Sequence, residues 1–330
     1  MGLHLNIKEV LISLFFSCML LLQTSCHKET ALEIGKLALE QDTVWQGTII
    51  VSGDIYVPPG VTLTIQPATT VKFKRIDETS DRNLFDVESP YYPQAELIIR
   101  GRIIARGTKK KPIVFTSAEI DARPADWGAI NLLGSDDNII EYVKILFAYN
   151  GIHAHGSSAD VAHSEFANNG VGISFKSEEE TPGVPWFGRR SDLTITDNLF
   201  YRNKGGVGFR NSDARISHNE MRNNKFFGIW PKENVKAVVT FNEITDNKKG
   251  VILYQTRGLT LTNNNIYDNT GYNIAVAEAQ DFDIDASQNW FGTINEQKID
   301  ELIFDHQDDS DLGVVQTKPF LSRAVQWEQP

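Results

Sequence analysis

The feature that most limits the fold of this chain is a spacing. The pattern Asn, any residue, apolar, two residues, Asn occurs as Asn198-Leu-Phe-Tyr-Arg-Asn203, Asn219-Glu-Met-Arg-Asn-Asn224, Asn242-Glu-Ile-Thr-Asp-Asn247 and Asn264-Asn-Ile-Tyr-Asp-Asn269, with first asparagines 21, 23 and 22 residues apart. Ser164-Glu-Phe-Ala-Asn-Asn169 is a weaker earlier copy, and Asn289 opens a different ending. An alternating segment precedes each copy: Leu193-Thr-Ile-Thr, Ala214-Arg-Ile-Ser, Ala237-Val-Val-Thr and Leu259-Thr-Leu-Thr. Another follows after a glycine: Val207-Gly-Phe-Arg, Ile229-Trp and Val251-Ile-Leu-Tyr. Alternation with period 2 sends one face inward and the other outward, as a strand does.

One repeat therefore holds two short strands, with a third around the apolar residue between its asparagines. Leucine-rich repeats need leucines at fixed spacing, and helical repeats need a 3.6-residue period; neither pattern is present. Three strands per turn, stacked in register, build a coil that rises ~4.8 Å per rung and buries its inward residues only by stacking. Asparagine is expected at the corners because it tolerates left-handed backbone angles, and it can form an amide ladder between rungs. These observations predict an all-β fold, a single-stranded right-handed parallel β-helix of ~22-residue rungs.

Other segments carry a resemblance. Thr43-Val-Trp-Gln-Gly, Val57-Pro-Pro-Gly-Val-Thr-Leu-Thr-Ile-Gln-Pro-Ala-Thr-Thr-Val-Lys-Phe, Leu97-Ile-Ile-Arg-Gly-Arg-Ile-Ile-Ala-Arg-Gly-Thr, Lys111-Pro-Ile-Val-Phe-Thr-Ser and Asp126-Trp-Gly-Ala-Ile resemble secreted bacterial right-handed β-helix proteins. The ending Ser287-Gln-Asn-Trp-Phe-Gly-Thr, Ile303-Phe-Asp, Gly313-Val-Val and Pro319-Phe-Leu is similar to that family's terminus. The resemblance covers residues 43 to 322 and implies the pectate-lyase-like superfamily fold, without implying lyase activity. Ala68 stands where the family commonly has glycine, which predicts a slightly different turn there.

At the N-terminus, Lys8 precedes a mostly apolar stretch from Leu11 to Leu22, too short to span a bilayer, which takes ~20 residues. Gln23-Thr24-Ser25-Cys26 follows and resembles the lipobox of bacterial lipoproteins, although Gln23 replaces the usual leucine. That resemblance implies a signal peptide over 1–25, lipidation at Cys26 and an anchor in the bacterial cell envelope, at the outer membrane. The alternative is an ordinary signal cleaved near Ser25. Cys18 and Cys26 are the chain's two cysteines, so no disulfide or cysteine-ligated metal is expected in the mature part. A net charge of −11 and the lack of a nucleic-acid motif disfavour nucleic-acid partners.

The expected organisation is a tether or N-terminal cap over 26–42, the β-helix over 43–288 and an irregular C-terminal cap over 289–330. Charged and proline-containing insertions are expected at 74–94 and 177–191, the second explaining why Ser164 and Asn198 lie 34 residues apart.

The candidate site comes from strand parity. If Ile152, Val171, Val207, Ile229 and Val251 point inward, then His153, His155, Ser174, Lys176, Arg210, Trp230, Lys232 and Tyr254 point outward. The second insertion leaves this strand column carrying Trp186, Arg189 and Arg190. Basic and aromatic groups on one face of an acidic protein suit an acidic saccharide, though solvated side chains on a plain sheet would look the same. Neither the Asp cluster with downstream Arg of pectate lyases nor the Asn-Thr-Asp, Asp-Asp and Gly-His-Gly set of polygalacturonases is present; Asp136-Asp137 stands alone. His153 and His155 lack a third metal ligand, and Asp305, Asp308, Asp309 and Asp311 do not fit a calcium loop and read as a polar turn. Trp127 and Trp290 read as structural. No cofactor or metal is expected. The function that fits is a non-catalytic, envelope-anchored β-helix binding a glycan or surface protein. A polysaccharide lyase or glycoside hydrolase with an unrecognised site, and a structural or adhesin module, are the alternatives.

Overall fold

The computed structural model describes residues 31–76, 94–277 and 279–327. The expected signal segment, Cys26 and most of the expected first insertion lie outside the described residues. The chain winds as a right-handed coil with three strands per turn, and neighbouring rungs pair in parallel.

The first face is built from strands such as Ile130–Leu133, Asn150–His155, Val171–Lys176 and Gly205–Arg210. The second holds Ser158–Ala162, Asp192–Thr196 and Asp213–Ser217. In two successive rungs these faces run together as the continuous strands Phe227–Thr240 and Lys249–Thr262. The third face is a separate sheet of ten strands, from Leu32–Ile34 to Asn265–Tyr267. Pairing starts at Leu32, ahead of the predicted boundary at 43, because Leu32–Ile34 stacks on Ile49–Val51 and Leu37–Ala38 on Ile55–Tyr56. At the other end the expected irregular cap holds the short helix Glu296–Asp300, and Ile303–Phe304 still extends the first face.

The repeat sets the register as its spacing predicts. Phe166, Phe200, Met221, Ile244 and Ile266 pair rung on rung and are fully buried. Flanking them are two amide ladders. Asn198 Nδ2 donates to Asn219 Oδ1 (3.0 Å), Asn219 to Asn242 (2.9 Å), Asn242 to Asn264 (2.9 Å) and Asn264 to Asn289 (3.0 Å). Asn169, Asn203, Asn224, Asn247 and Asn269 form the second ladder, with steps of 2.9–3.1 Å. The serine of the weaker copy cannot donate an amide, yet its backbone still joins the first ladder: Ser164 N–H donates to Asn198 Oδ1 at 2.9 Å.

The expected reason for asparagine needs correction. The ladder asparagines are not left-handed; the residue before each one is, as at Asp197 (φ 57°), Asn223 (φ 55°) and Asp246 (φ 55°). Asparagine is selected for the inward amide, and the preceding residue carries the turn. Ala68 takes φ 68°, a left-handed angle that glycine adopts freely and that costs alanine strain. Trp127 is structural, fully buried and stacked on Phe73 at 4.2 Å. Asp305 is a buried turn residue accepting from Gln307 N and Val315 N at 3.0 and 2.8 Å.

Candidate functional site

Register on the first face decides which outward side chains meet. Ile152, Ile173, Val207, Ile229 and Val251 share the inward position, so the predicted place of Val171 among them is wrong. Val171 pairs instead with Asn150 and Gly205, one alternation earlier, and is partly exposed. The outward parity of the other residues is unaffected. One outward row runs His153, Ser174, Gly208, Trp230, and the next runs His155, Lys176, Arg210, Lys232, Tyr254.

These two rows make a cleft of ≈ 480 Å³ lined by His153, Ser174, Lys176, Arg210, Trp230 and Lys232, among others. The first row explains its shape. His153 and Trp230 stand at its ends, three rungs or ~14 Å apart, while Ser174 and Gly208 leave the floor low between them. The Trp230 wall is braced edge-on by Phe226 and Phe227, with centroids 5.7 and 5.3 Å away. Phe227 has room because Gly205 has no side chain: a Cβ there would stand 2.1 Å from the ring.

The second row supplies charge, part of it already matched. Lys176 pairs with Glu180 at 2.5 Å and Arg210 with Glu233 at 2.8 Å. Lys232 lies over the Trp230 ring at 3.7 Å; burial, and after it Arg210, hold its ammonium below the usual lysine range. Tyr254 is exposed at the far end of the row and does not line the cleft.

The histidine end is a row of close polar contacts. Glu178 Oε2 meets His155 Nδ1 at 2.7 Å, His155 Nε2 meets His153 Nε2 at 3.2 Å, and His153 Nδ1 meets Asn131 Oδ1 at 3.2 Å. Asn131 Nδ2 then donates to Glu96 Oε2 at 3.0 Å. With both carboxylates ionised and both imidazoles neutral, three hydrogens serve these four contacts, and the missing one falls between the two Nε2 atoms. Burial keeps His153 well below the ordinary 6.5, reinforced by His155 and Lys176. His155 is also lowered by burial, against an opposing pull from Glu178. Both rings are thus neutral near pH 7, and His153 borders the cleft with its Nε2 directed at His155. Among the described residues no group of three or more His, Cys, Asp or Glu could hold a metal ion.

Trp186 and Arg189 depart from expectation. The second insertion folds toward the N-terminal rungs, where Trp186 is 5% exposed, packs on Ile98 and Leu133, and lies under the Arg100 guanidinium at 3.7 Å. A Cβ on Gly134 would come within 2.6 Å of this indole, so glycine is needed for the close approach. Arg189 is tied to Asp136 by two contacts of 2.7 and 2.9 Å. Both residues pin the insertion rather than roof the cleft. Parity read one rung earlier would have found Asn131, the outward neighbour of Ile130. Glu178, at the start of a loop, carries no such periodic signal.

A family model described as "Pectate-lyase like beta helix domain" matches residues 35–196, and one described as "Right handed beta helix region" matches 182–299. No curated protein matches the chain. Among solved structures, a mutant of the periplasmic alginate epimerase AlgG superposes with TM-score 0.50 at 13% identity, covering 90% of this chain and 77% of that one. The A-module of Azotobacter vinelandii mannuronan C-5 epimerase AlgE6 gives 0.46 at 8% identity, covering 91% and 92%. An exopolygalacturonase from Thermotoga maritima gives 0.39 at 9%, covering 89% and 84%. With fold, register and family models in agreement, the chain belongs to the right-handed parallel β-helix proteins of the pectate-lyase-like superfamily.

Proposed function

We propose that this protein is an envelope-anchored β-helix that binds an acidic polysaccharide in the first-face cleft, held at the membrane through a lipid on Cys26. The observation that carries the reading is the cleft itself: a low Ser174–Gly208 floor ends in the Trp230 ring, with Lys176, Arg210 and Lys232 in the adjacent row. The face of the indole that Lys232 does not cover would meet a sugar ring, and the cations would meet uronate carboxylates. Glu180 and Glu233 hold two of those cations in place and moderate their charge, which suits reversible binding of a repeating chain. Oligouronates from alginate and polygalacturonate are the probes of choice, titrated calorimetrically against the soluble domain and the Trp230→Ala and Arg210→Ala variants. Binding that falls at least tenfold in Trp230→Ala and weakens with salt supports the proposal, because exposed ion pairs are screened over ~8–10 Å at ordinary ionic strength. Wild-type affinity in both variants, or no binding by the wild type, refutes it.

The neutral His153 favours a second reading at the same place. A neutral imidazole beside cations, with its Nε2 turned from His155 toward the cleft, would be equipped to remove the proton next to a uronate carboxylate, the first step of a polysaccharide lyase. Product absorbance of the unsaturated uronate, present in wild type and lost in His153→Gln while binding persists, separates lyase from binder.

A further inference from the structure

A second cleft lies on another side of the coil, at the corner between the second and third faces. It measures ≈ 340 Å³ and is lined by Tyr142, His163, Asp197, His218, Lys144 and Glu220, among others. The left-handed residues that precede the ladder position follow one another here as Tyr142, His163, Asp197, His218, Phe241 and Asn263, all with φ between 50° and 58°. Asn and Asp suit that conformation best, histidine is tolerated, and bulky rings such as Tyr and Phe are genuine outliers. The opposite corner makes the conventional choice at most rungs, with Asn168, Asn223, Asp246 and Asp268. The aromatic corner therefore holds its rings against local preference, and such outliers concentrate at functional sites.

The rings are arranged in two stacks with a gap. Tyr142 stacks on His163, centroids 4.7 Å apart and planes at 19°, and His218 stacks on Phe241 at 5.3 Å and 5°. Between the stacks the rung carries only Asp197. It sits on the rung between the facing sides of His163 and His218, two rungs or ~9.6 Å apart, and all three line the cleft. Subtracting the thickness of the two rings leaves space for one saturated six-membered ring. Charge in the cleft is largely matched internally: Lys144 pairs with Glu165 at 2.6 Å, and Glu220 pairs with Arg222. Asp197, partly exposed at the base of the gap, makes no side-chain hydrogen bond or ion pair among the described residues. A carboxylate with open acceptor sites between two ring faces matches adjacent hydroxyls above and below which a pyranose presents its C–H faces.

We propose that this corner is a second carbohydrate site, in which His163 and His218 sandwich one neutral hexopyranose ring of a glycan and Asp197 accepts its hydroxyls. The site is independent of the first-face cleft. Proton NMR of the histidine Hε1 signals of the soluble domain, titrated with cellotetraose, mannotetraose and maltotetraose, tests it. Signals of both His163 and His218 are expected to move with at least one tetrasaccharide. His218→Asn, which keeps a residue suited to the left-handed turn, should leave thermal stability equal or higher while weakening binding at least tenfold, as should Asp197→Ala. Arg210→Ala, in the other cleft, should bind like wild type. The proposal is overturned if none of the three sugars shifts either signal, or if His218→Asn and Asp197→Ala both bind with wild-type affinity.

Discussion

Truncating one rung of the amide ladder should cost far more than one hydrogen bond. Asn242 donates through Nδ2 to Asn264 Oδ1, Ile216 O and Thr240 O at 2.9, 2.9 and 3.0 Å. Its Oδ1 accepts both the backbone N–H and the amide of Asn219, at 3.0 and 2.9 Å. In Asn242→Ala the Asn219 amide keeps its bonds to Ile195 O and Ser217 O, and Asn264 Oδ1 keeps the Asn242 backbone donor. The Asn219 N–H and the Ile216 carbonyl lose these partners in a site closed to water. At ~1–3 kcal/mol for each buried group left unsatisfied, the two together cost ~2–6 kcal/mol. Asn242→Asp sharpens the test. It retains the acceptor but sets a second carboxylate oxygen against Ile216 O and Asn264 Oδ1, so its deficit should shrink on acidification, when the carboxyl can donate. Urea unfolding followed by circular dichroism measures both. A loss below ~1 kcal/mol for Asn242→Ala at unchanged m-value would show that water or a backbone shift replaces the amide, and the ladder argument would fail.

The apolar column makes a parallel case: Ile244→Ala, at a fully buried site, should lose ~2–5 kcal/mol in the same assay. Acid should weaken the fold in two stages. Because burial lowers the folded pKa of His153 and His155 below 6.5, the unfolded chain takes up protons first, and stability declines as pH falls below that value. Glu178, also lowered and paired with His155, adds its loss below 4.5. Thermal scans of His153→Gln should show a shallower decline from pH 7 to 5.5; an identical slope would exclude His153 as its source. Cys26→Ala should release the protein from the membrane fraction, and retention after a high-salt wash would refute the anchor.

The inward half of this molecule was legible in the sequence and the outward half only partly so, for a physical reason. Inward positions are constrained by neighbours on both adjacent rungs: Met221 must match Phe200 and Ile244, and Asn219 must match Asn198 and Asn242. Such constraints repeat every turn and show as periodicity. Outward parity followed once the strands were set, so His153, Trp230 and Lys232 fell on one face as read. Partners supplied by loops did not follow. Sequence places Trp186 and Arg189 with the candidate face, yet the insertion folds back onto Ile98, Leu133 and Asp136, and no alternation specifies where a loop returns. Glu178 was missed for the same reason.

The two ladders also explain how one coil can carry two unlike clefts. Each ladder amide accepts a backbone N–H from the rung before it, as when Asn219 N–H reaches Asn242 Oδ1, so register is secured from inside each corner. The residue just before the amide is thereby relieved of any side-chain duty in the core. It has only to adopt positive φ, and the ~1–2 kcal/mol this costs an L-residue is small against an unsatisfied ladder step plus a large core residue. A corner so fixed can hold His218 and Phe241, directly ahead of Asn219 and Asn242, without slipping. Mutating a ladder asparagine should therefore disturb the outer rings too: in Asn219→Ala the His218–Phe241 stack should loosen, read as increased exchange broadening of the His218 Hε1 signal. If His218 stays sharp while stability falls, the inner ladder and the outer aromatic corner are not coupled, and the corner's conformation is held by the strands on either side.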